Sequence, residues 1–149
     1  MEYLMTYGWA LLVIVIVIAV LMFIRPFGAP ESCVFQQPGF SCEGHRITAN
    51  NGLYARITNG QQKSIERIEI ACVRGTGDPT GYTVVALPAN YNGQLAHGRD
   101  FNTNGLDCGT VSAGEDFSGR LYLLFHYTDD DPGVPAKRSV ANIIGPVQP

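Results

Sequence analysis

The chain has 149 residues, long enough for one domain and little beyond it. Ten Lys and Arg stand against 13 Asp and Glu, a net charge of −3, and no basic stripe interrupts the sequence, which argues against a nucleic-acid partner. Seventeen glycines and nine prolines suit short strands joined by turns better than a helical bundle.

The first element is the run "MEYLMTYGWALLVIVIVIAVLMFIRP". After Glu2 no ionisable side chain except tyrosine occurs until Arg25, and as a helix Tyr3–Ile24 would extend about 33 Å. That length spans a bilayer core. The block Val13–Ile18 is β-branched throughout and would favour strand in water. Lipid reverses the preference, because a helix satisfies its own N–H and C=O groups and an isolated strand does not. Pro26 marks the expected helix end, and Pro30 repeats the signal.

A secretory signal would need a basic start, a shorter apolar core and a small-residue cleavage site, and the run has none of these. An ordinary membrane anchor fits by length but meets a conflict. Arg25 as the flanking cation would hold the following domain in the cytoplasm, whereas the cysteines want it outside. A basic leader that once preceded Met1 and was removed would resolve it. A helix apolar on every side can instead stack with copies of itself, burying its whole girth, and Glu2 then needs a partner such as a neighbour's terminal amine. Tyr3, Tyr7 and Trp9 read as interfacial anchors near one end, and Gly8 as a point of close helix approach.

These residues resemble the head of archaeal type IV pilins: a glutamate, an aromatic neighbour and a long aliphatic helix. The resemblance is specific over residues 1–25 and only architectural beyond. It implies a basic leader cut by a prepilin peptidase, transient residence in the membrane, extraction by a pilus assembly machinery, and a homopolymer displayed at the cell surface as an adhesive extracellular filament. It also implies an α+β chain, the long N-terminal hydrophobic helix being followed by an Ig-like antiparallel β-sandwich. Carried over by position, Glu2 and Tyr3 would make the assembly contact. Leu4, Trp9, Leu11, Leu12, Ile14, Ile16, Ile18, Leu21 and Phe23 would pack the filament core. The expected division is 1–26 as filament-core helix, 27–33 as linker and 34–149 as globular domain. Two other readings keep the same head: a membrane-tethered extracellular binding module, and a subunit of the archaellum.

Beyond the linker, "LYARIT" (Leu53–Thr58) alternates, Asn59-Gly60 offers a turn, and "SIERIEIACV" (Ser64–Val73) alternates again, which reads as a hairpin-like unit. Ile65, Ile68 and Ile70 are its inward candidates, and the three-residue step from Ile65 to Ile68 predicts a bulge. "GYTVVAL" (Gly81–Leu87), "GRLYLLFHY" (Gly119–Tyr127) and "RSVANIIG" (Arg138–Gly145) continue the series. Asn51-Gly52, Asn92-Gly93 and Asn104-Gly105 are further turn signals. Six or seven such strands suggest a sandwich.

Cys33, Cys42, Cys72 and Cys108 contain no C-x-x-C pair, so disulfides are favoured over zinc. Three pairings are open to four cysteines. The expectation taken is Cys33 with Cys42 and Cys72 with Cys108, in an oxidising compartment.

No catalytic constellation stands out. His45, His97 and His126 are scattered, Ser112 and Ser118 lack a nucleophile elbow, and "GTGDPTG" (Gly75–Gly81) lacks the lysine of a phosphate loop and reads as an exposed loop. Asp129-Asp130-Asp131-Pro132-Gly133 reads as a loop between strands before a calcium site. No enzyme activity, metal or cofactor is expected, and no N-glycosylation sequon occurs.

Overall fold

A computed structural model describes residues 2–24, 31–50 and 52–149. The chain divides into two compact units, residues 1–30 and 31–149.

The first unit is helix α1, Glu2–Ile24, with Glu2 in its first turn. It is long and apolar enough to cross a membrane. The expected stop at Arg25-Pro26 lies outside the described residues, as do Met1 and residues 27–30 of the linker. The hydroxyl of Thr6 donates to the Glu2 carbonyl at 2.8 Å, so a polar side chain in this apolar rod is satisfied within its own turn.

The second unit is built from nine strands among the described residues: β1 (Ser32–Phe35), β2 (Phe40–Thr48), β3 (Gly52–Asn59), β4 (Ile65–Arg74), β5 (Thr83–Val84), β6 (Gln94–Leu95), β7 (Asp100–Asn102), β8 (Asp116–Tyr127) and β9 (Lys137–Gln148). The first of them starts at Ser32, so Ser32 and Cys33, read as linker, belong to the sheet. The strand order is β5-β4-β8-β9-β2-β3-β7, with β1 also on β9 and β6 also on β4. The architecture is therefore α+β, one apolar helix followed by a many-stranded mixed sheet.

Two expectations fail here. First, the sheet is not purely antiparallel, since Ile47 and Thr48 pair with Val147 and Gln148 in parallel. The cause is local: β1 lies antiparallel to β9, residues 36–39 reverse the chain, and β2 must then run with β9. Second, β3 and β4 do not form a hairpin. Strand β3 pairs with β2 and β7, while β4 pairs with β5, β6 and β8, so the segment after Asn59 crosses between them.

The bulge in β4 is present. The register shifts between Glu66 and Glu69, and Arg67 takes a φ of 52°. That extra residue turns Ile65, Ile68 and Ile70 all inward, each at most 2% exposed. Strands β8 and β9 form the long hairpin, ten register pairs from Asp116↔Pro146 to Phe125↔Lys137. By contrast "GYTVVAL" contributes only the two residues of β5 and a bond from Val85 N–H to the Ile68 carbonyl.

Alternation fills the core. Leu53 and Ile57 from β3, Leu121 and Leu123 from β8, and Ile143 from β9 are fully enclosed. Each such burial contributes about 1.5–3 kcal/mol before the entropy of ordering is subtracted. A relay of rings, Phe35–Phe40–Phe125–Tyr127, closes one end with centroid separations of 5.7, 5.0 and 5.6 Å.

Candidate functional site

Helix α1 is the element that the domain's core does not explain. Its nine expected packing residues fall on two opposite sides. Leu4, Leu11, Ile14, Ile18 and Leu21 follow one another at steps of three, four and seven, and so do Trp9, Leu12, Ile16 and Phe23 on the other side. Glu2 stands seven residues before Trp9 and shares its side, whereas Tyr3 shares the side of Ile14 and Leu21. None of the helix is buried, and Trp9 and Phe23 are 68% and 90% exposed. A stripe could be covered by one neighbour, but a rod apolar on both sides needs a surrounding of lipid or of several helices.

Both disulfides are present, Cys33–Cys42 and Cys72–Cys108. The first ties the N-terminal strand β1 to β2. The second ties β4 to the segment after β7, with Cys108 almost wholly buried. Sulfurs of Cys33 and Cys42 and a ring nitrogen of His45 lie within 4.8 Å of one another, a grouping that resembles a metal site. With both sulfurs consumed in the bridge no thiolate is left to ligate. The His45 ring is engaged instead, its Nε2 lying 3.2 Å from the Ile144 carbonyl oxygen and spanning the gap between β2 and β9.

The other sequence candidates are structural too. His97 Nδ1 lies 2.7 Å from the Gln61 carbonyl oxygen, and His126 sits opposite Glu66 in the β4–β8 ladder. In the acidic loop, Asp129 pairs with Lys63 at 3.0 Å and Asp130 accepts from the Tyr127 N–H while facing Lys137 at 3.8 Å. Those carboxylates are spent on lysines and loop closure between β8 and β9. The glycine-rich loop at Gly75–Gly81 is exposed as expected, yet it also has a job. The Tyr122 hydroxyl donates to the Gly77 carbonyl at 2.9 Å, so this loop covers a tyrosine that would otherwise face water from the outer side of β8.

Lys63 and Asp129 perturb each other. The hydrogen bond to Asp129, and then the charge of that carboxylate, hold the Lys63 pKa above its ordinary value, and the same hydrogen bond first holds the Asp129 carboxyl below its own.

One polar surface escaped the sequence reading. Arg46, Tyr54, Arg56, Asn102 and Asn104 line a single cleft over β2, β3 and β7. Tyr54 and Arg56 were legible as the outward half of the "LYARIT" alternation, but the neighbours of that strand were not.

Comparison with protein-family models, with curated proteins and with solved structures finds no match to this chain.

Proposed function

We propose that this chain is the structural subunit of an archaeal type IV pilus, polymerising through α1. The single observation that carries the reading is a 23-residue helix apolar on all sides and unburied, attached to a domain whose own core is complete without it. In a filament, sister helices replace lipid around both apolar sides. Glu2 in the first turn then enters a low-dielectric bundle, where a carboxylate is tolerated only when paired, and a neighbour's amine sets the register. Tyr3 follows it as a second contact. Membrane insertion is the storage state before assembly, and assembly machinery and a prepilin peptidase are the partners that the reading requires.

The globular domain is in this reading an Ig-like sandwich standing outward on the fibre. What supports it is that strands on both sides of β9, β8 and β4 on one and β2 and β3 on the other, contribute to one apolar core, with disulfides suited to an oxidising exterior. The function is mechanical and adhesive, without a catalytic step.

The test is electron microscopy of fibres sheared from cells, with mass spectrometry for this chain, on wild type and Glu2→Ala. Fibres containing the chain in wild type, and membrane-retained protein with few or no fibres in the variant, are expected. A wild-type chain found only as detergent-soluble monomer overturns the filament, and unchanged fibre yield in the variant overturns the role of Glu2.

A further inference from the structure

A bulge brings Cys42 and His45 to one face. Residues three apart on a regular strand point to opposite faces, but the register of β2 on β3 shifts between Cys42 and Gly44, with Glu43 as the extra residue. Cys42 then stands opposite Ile57 and His45 opposite Ala55, two buried positions, so both side chains turn to the core face of β2. Cys33 arrives there from β1, where it lies opposite the enclosed Ile143 of β9. The two sulfurs and a ring nitrogen of His45 all fall within 4.8 Å of one another. Bonds of about 2.3 Å to sulfur and about 2.0 Å to nitrogen set tetrahedral zinc ligands roughly 3.5–3.8 Å apart. The three atoms therefore need little movement to hold such an ion once the sulfurs are no longer bonded to each other.

The imidazole is already held in place. His45 Nε2 lies 3.2 Å from the Ile144 carbonyl oxygen, and in the tautomer that donates Nε2–H to it, Nδ1 keeps its lone pair. Backbone carbonyls play this part behind metal-bound imidazoles, fixing both ring and tautomer. Opening the bridge leaves β1 seated as well, because four register pairs with β9, the Gln36 N–H on the Val140 carbonyl and the Phe35–Phe40 ring contact remain. The two bridges differ in access. Cys33 and Cys42 are both half-buried, whereas Cys108 is 2% exposed, and among the described residues no third metal-ligating side chain joins Cys72 and Cys108.

We propose that Cys33, Cys42 and His45 form a redox-gated zinc site, closed while their disulfide stands and opened by a dithiol. The dithiol gives two electrons and two protons to the bridge and becomes a disulfide itself. Zn²⁺ then displaces the two thiol protons and binds both thiolates and the neutral imidazole, with water as the fourth ligand. A small-molecule disulfide reverses the step, taking the two electrons back and releasing the ion. Zinc suits two sulfurs and a nitrogen better than calcium or magnesium, which take oxygen ligands. Strand β1 is thereby stapled to β2 through the metal in reducing surroundings and through the bridge in oxidising ones. The site needs only the globular domain, so its failure leaves the filament reading standing.

The experiment reduces the full chain in detergent micelles with a water-soluble phosphine at neutral pH, removes the phosphine without air, and titrates with Co²⁺ and then Zn²⁺. Expected are one cobalt per chain with a near-ultraviolet thiolate charge-transfer band, loss of that band as zinc displaces cobalt, no band in the unreduced chain, and a retained strand signal in circular dichroism. His45→Ala is expected to bind about tenfold more weakly or worse. Alkylation read by mass spectrometry, which needs no variant, should show zinc shielding Cys33 and Cys42 even where the phosphine opens both bridges. A Cys33–Cys42 bridge that the phosphine leaves closed, a strand signal lost on reduction, no cobalt band in the reduced chain, shielding at Cys72 and Cys108 instead, or an affinity unchanged in His45→Ala overturns the proposal.

Discussion

The carboxamide of Asn59 donates to the Leu95 carbonyl at 2.9 Å and to the Lys63 carbonyl at 3.1 Å, while its oxygen accepts from the Gln61 N–H at 2.9 Å. Asn59 is completely buried. A residue that reads as the first half of an exposed Asn-Gly turn is instead the internal peg that carries the chain from β3 across to β4. Replacing it with alanine strands three backbone groups, part of them away from water, so Asn59→Ala should destabilise the domain by about 2–4 kcal/mol. Urea denaturation followed by far-ultraviolet circular dichroism at the strand band and by tyrosine fluorescence measures this. A loss below about 1 kcal/mol would show that water replaces the carboxamide.

The two disulfides should differ in worth. Cys33–Cys42 closes a separation of 9 residues and Cys72–Cys108 one of 36. Loop-closure entropy assigns roughly 2.5 kcal/mol to the short loop and roughly 4 kcal/mol to the long one. The double replacement Cys72→Ala, Cys108→Ala should therefore lower stability by more than Cys33→Ala, Cys42→Ala. Thermal unfolding of both variants gives the order, and the reverse order would contradict the argument.

Gly119 lies in β8 opposite Arg74, fully enclosed, and a methyl group there would overlap the Val73 carbonyl oxygen and the Phe117 ring. Backbone on a paired strand cannot retreat as a side-chain tip can. Gly119→Ala should cost about 1–3 kcal/mol despite the better strand propensity of alanine, read again from denaturant midpoints.

The pair Lys63–Asp129 makes a prediction about pH. The Asp129 pKa is lowered from its ordinary 3.8, so its contribution is complete above that value and disappears as pH falls through the folded-state pKa. The Lys63 pKa is raised from 10.5, so its share is complete below 10.5 and disappears as pH rises through the folded value. Both groups are exposed, and water screens the pair too well for melting curves to register it. In Lys63→Met, carbon-detected NMR of Asp129 should show its carboxyl titrating at higher pH than in the wild type. An unchanged titration would remove lysine as the cause.

Much of the molecule was readable residue by residue. The helix is written in 22 uncharged positions, and the bulge in the three-residue step between Ile65 and Ile68, because both are local consequences of which side chains face oil. The strands at Leu53–Thr58, Gly119–Tyr127 and Arg138–Gly145 followed from alternation, and the long hairpin from its acidic, proline-containing loop. The cysteine pairing also agrees with expectation, although spacing alone left three choices. Strands β1 and β2 gave weaker signals, since Gly44, Cys42 and Glu43 interrupt alternation at a second bulge.

What sequence by itself determined is the period of each element and therefore which face turns inward: an apolar rod, then alternating strands around one core. Which strands lie side by side was decided only by the tertiary structure. Alternation has the same form whether a strand turns back on its neighbour or crosses to another part of the sheet, so nothing in "LYARITNG" separates a hairpin from a crossover. The distinction rests on where the Asn59 carboxamide finds its partners, and Leu95, 36 residues away, becomes one of them only after the chain has folded. The polar cleft has the same origin, because Arg46, Tyr54 and Asn104 become neighbours through strand order alone.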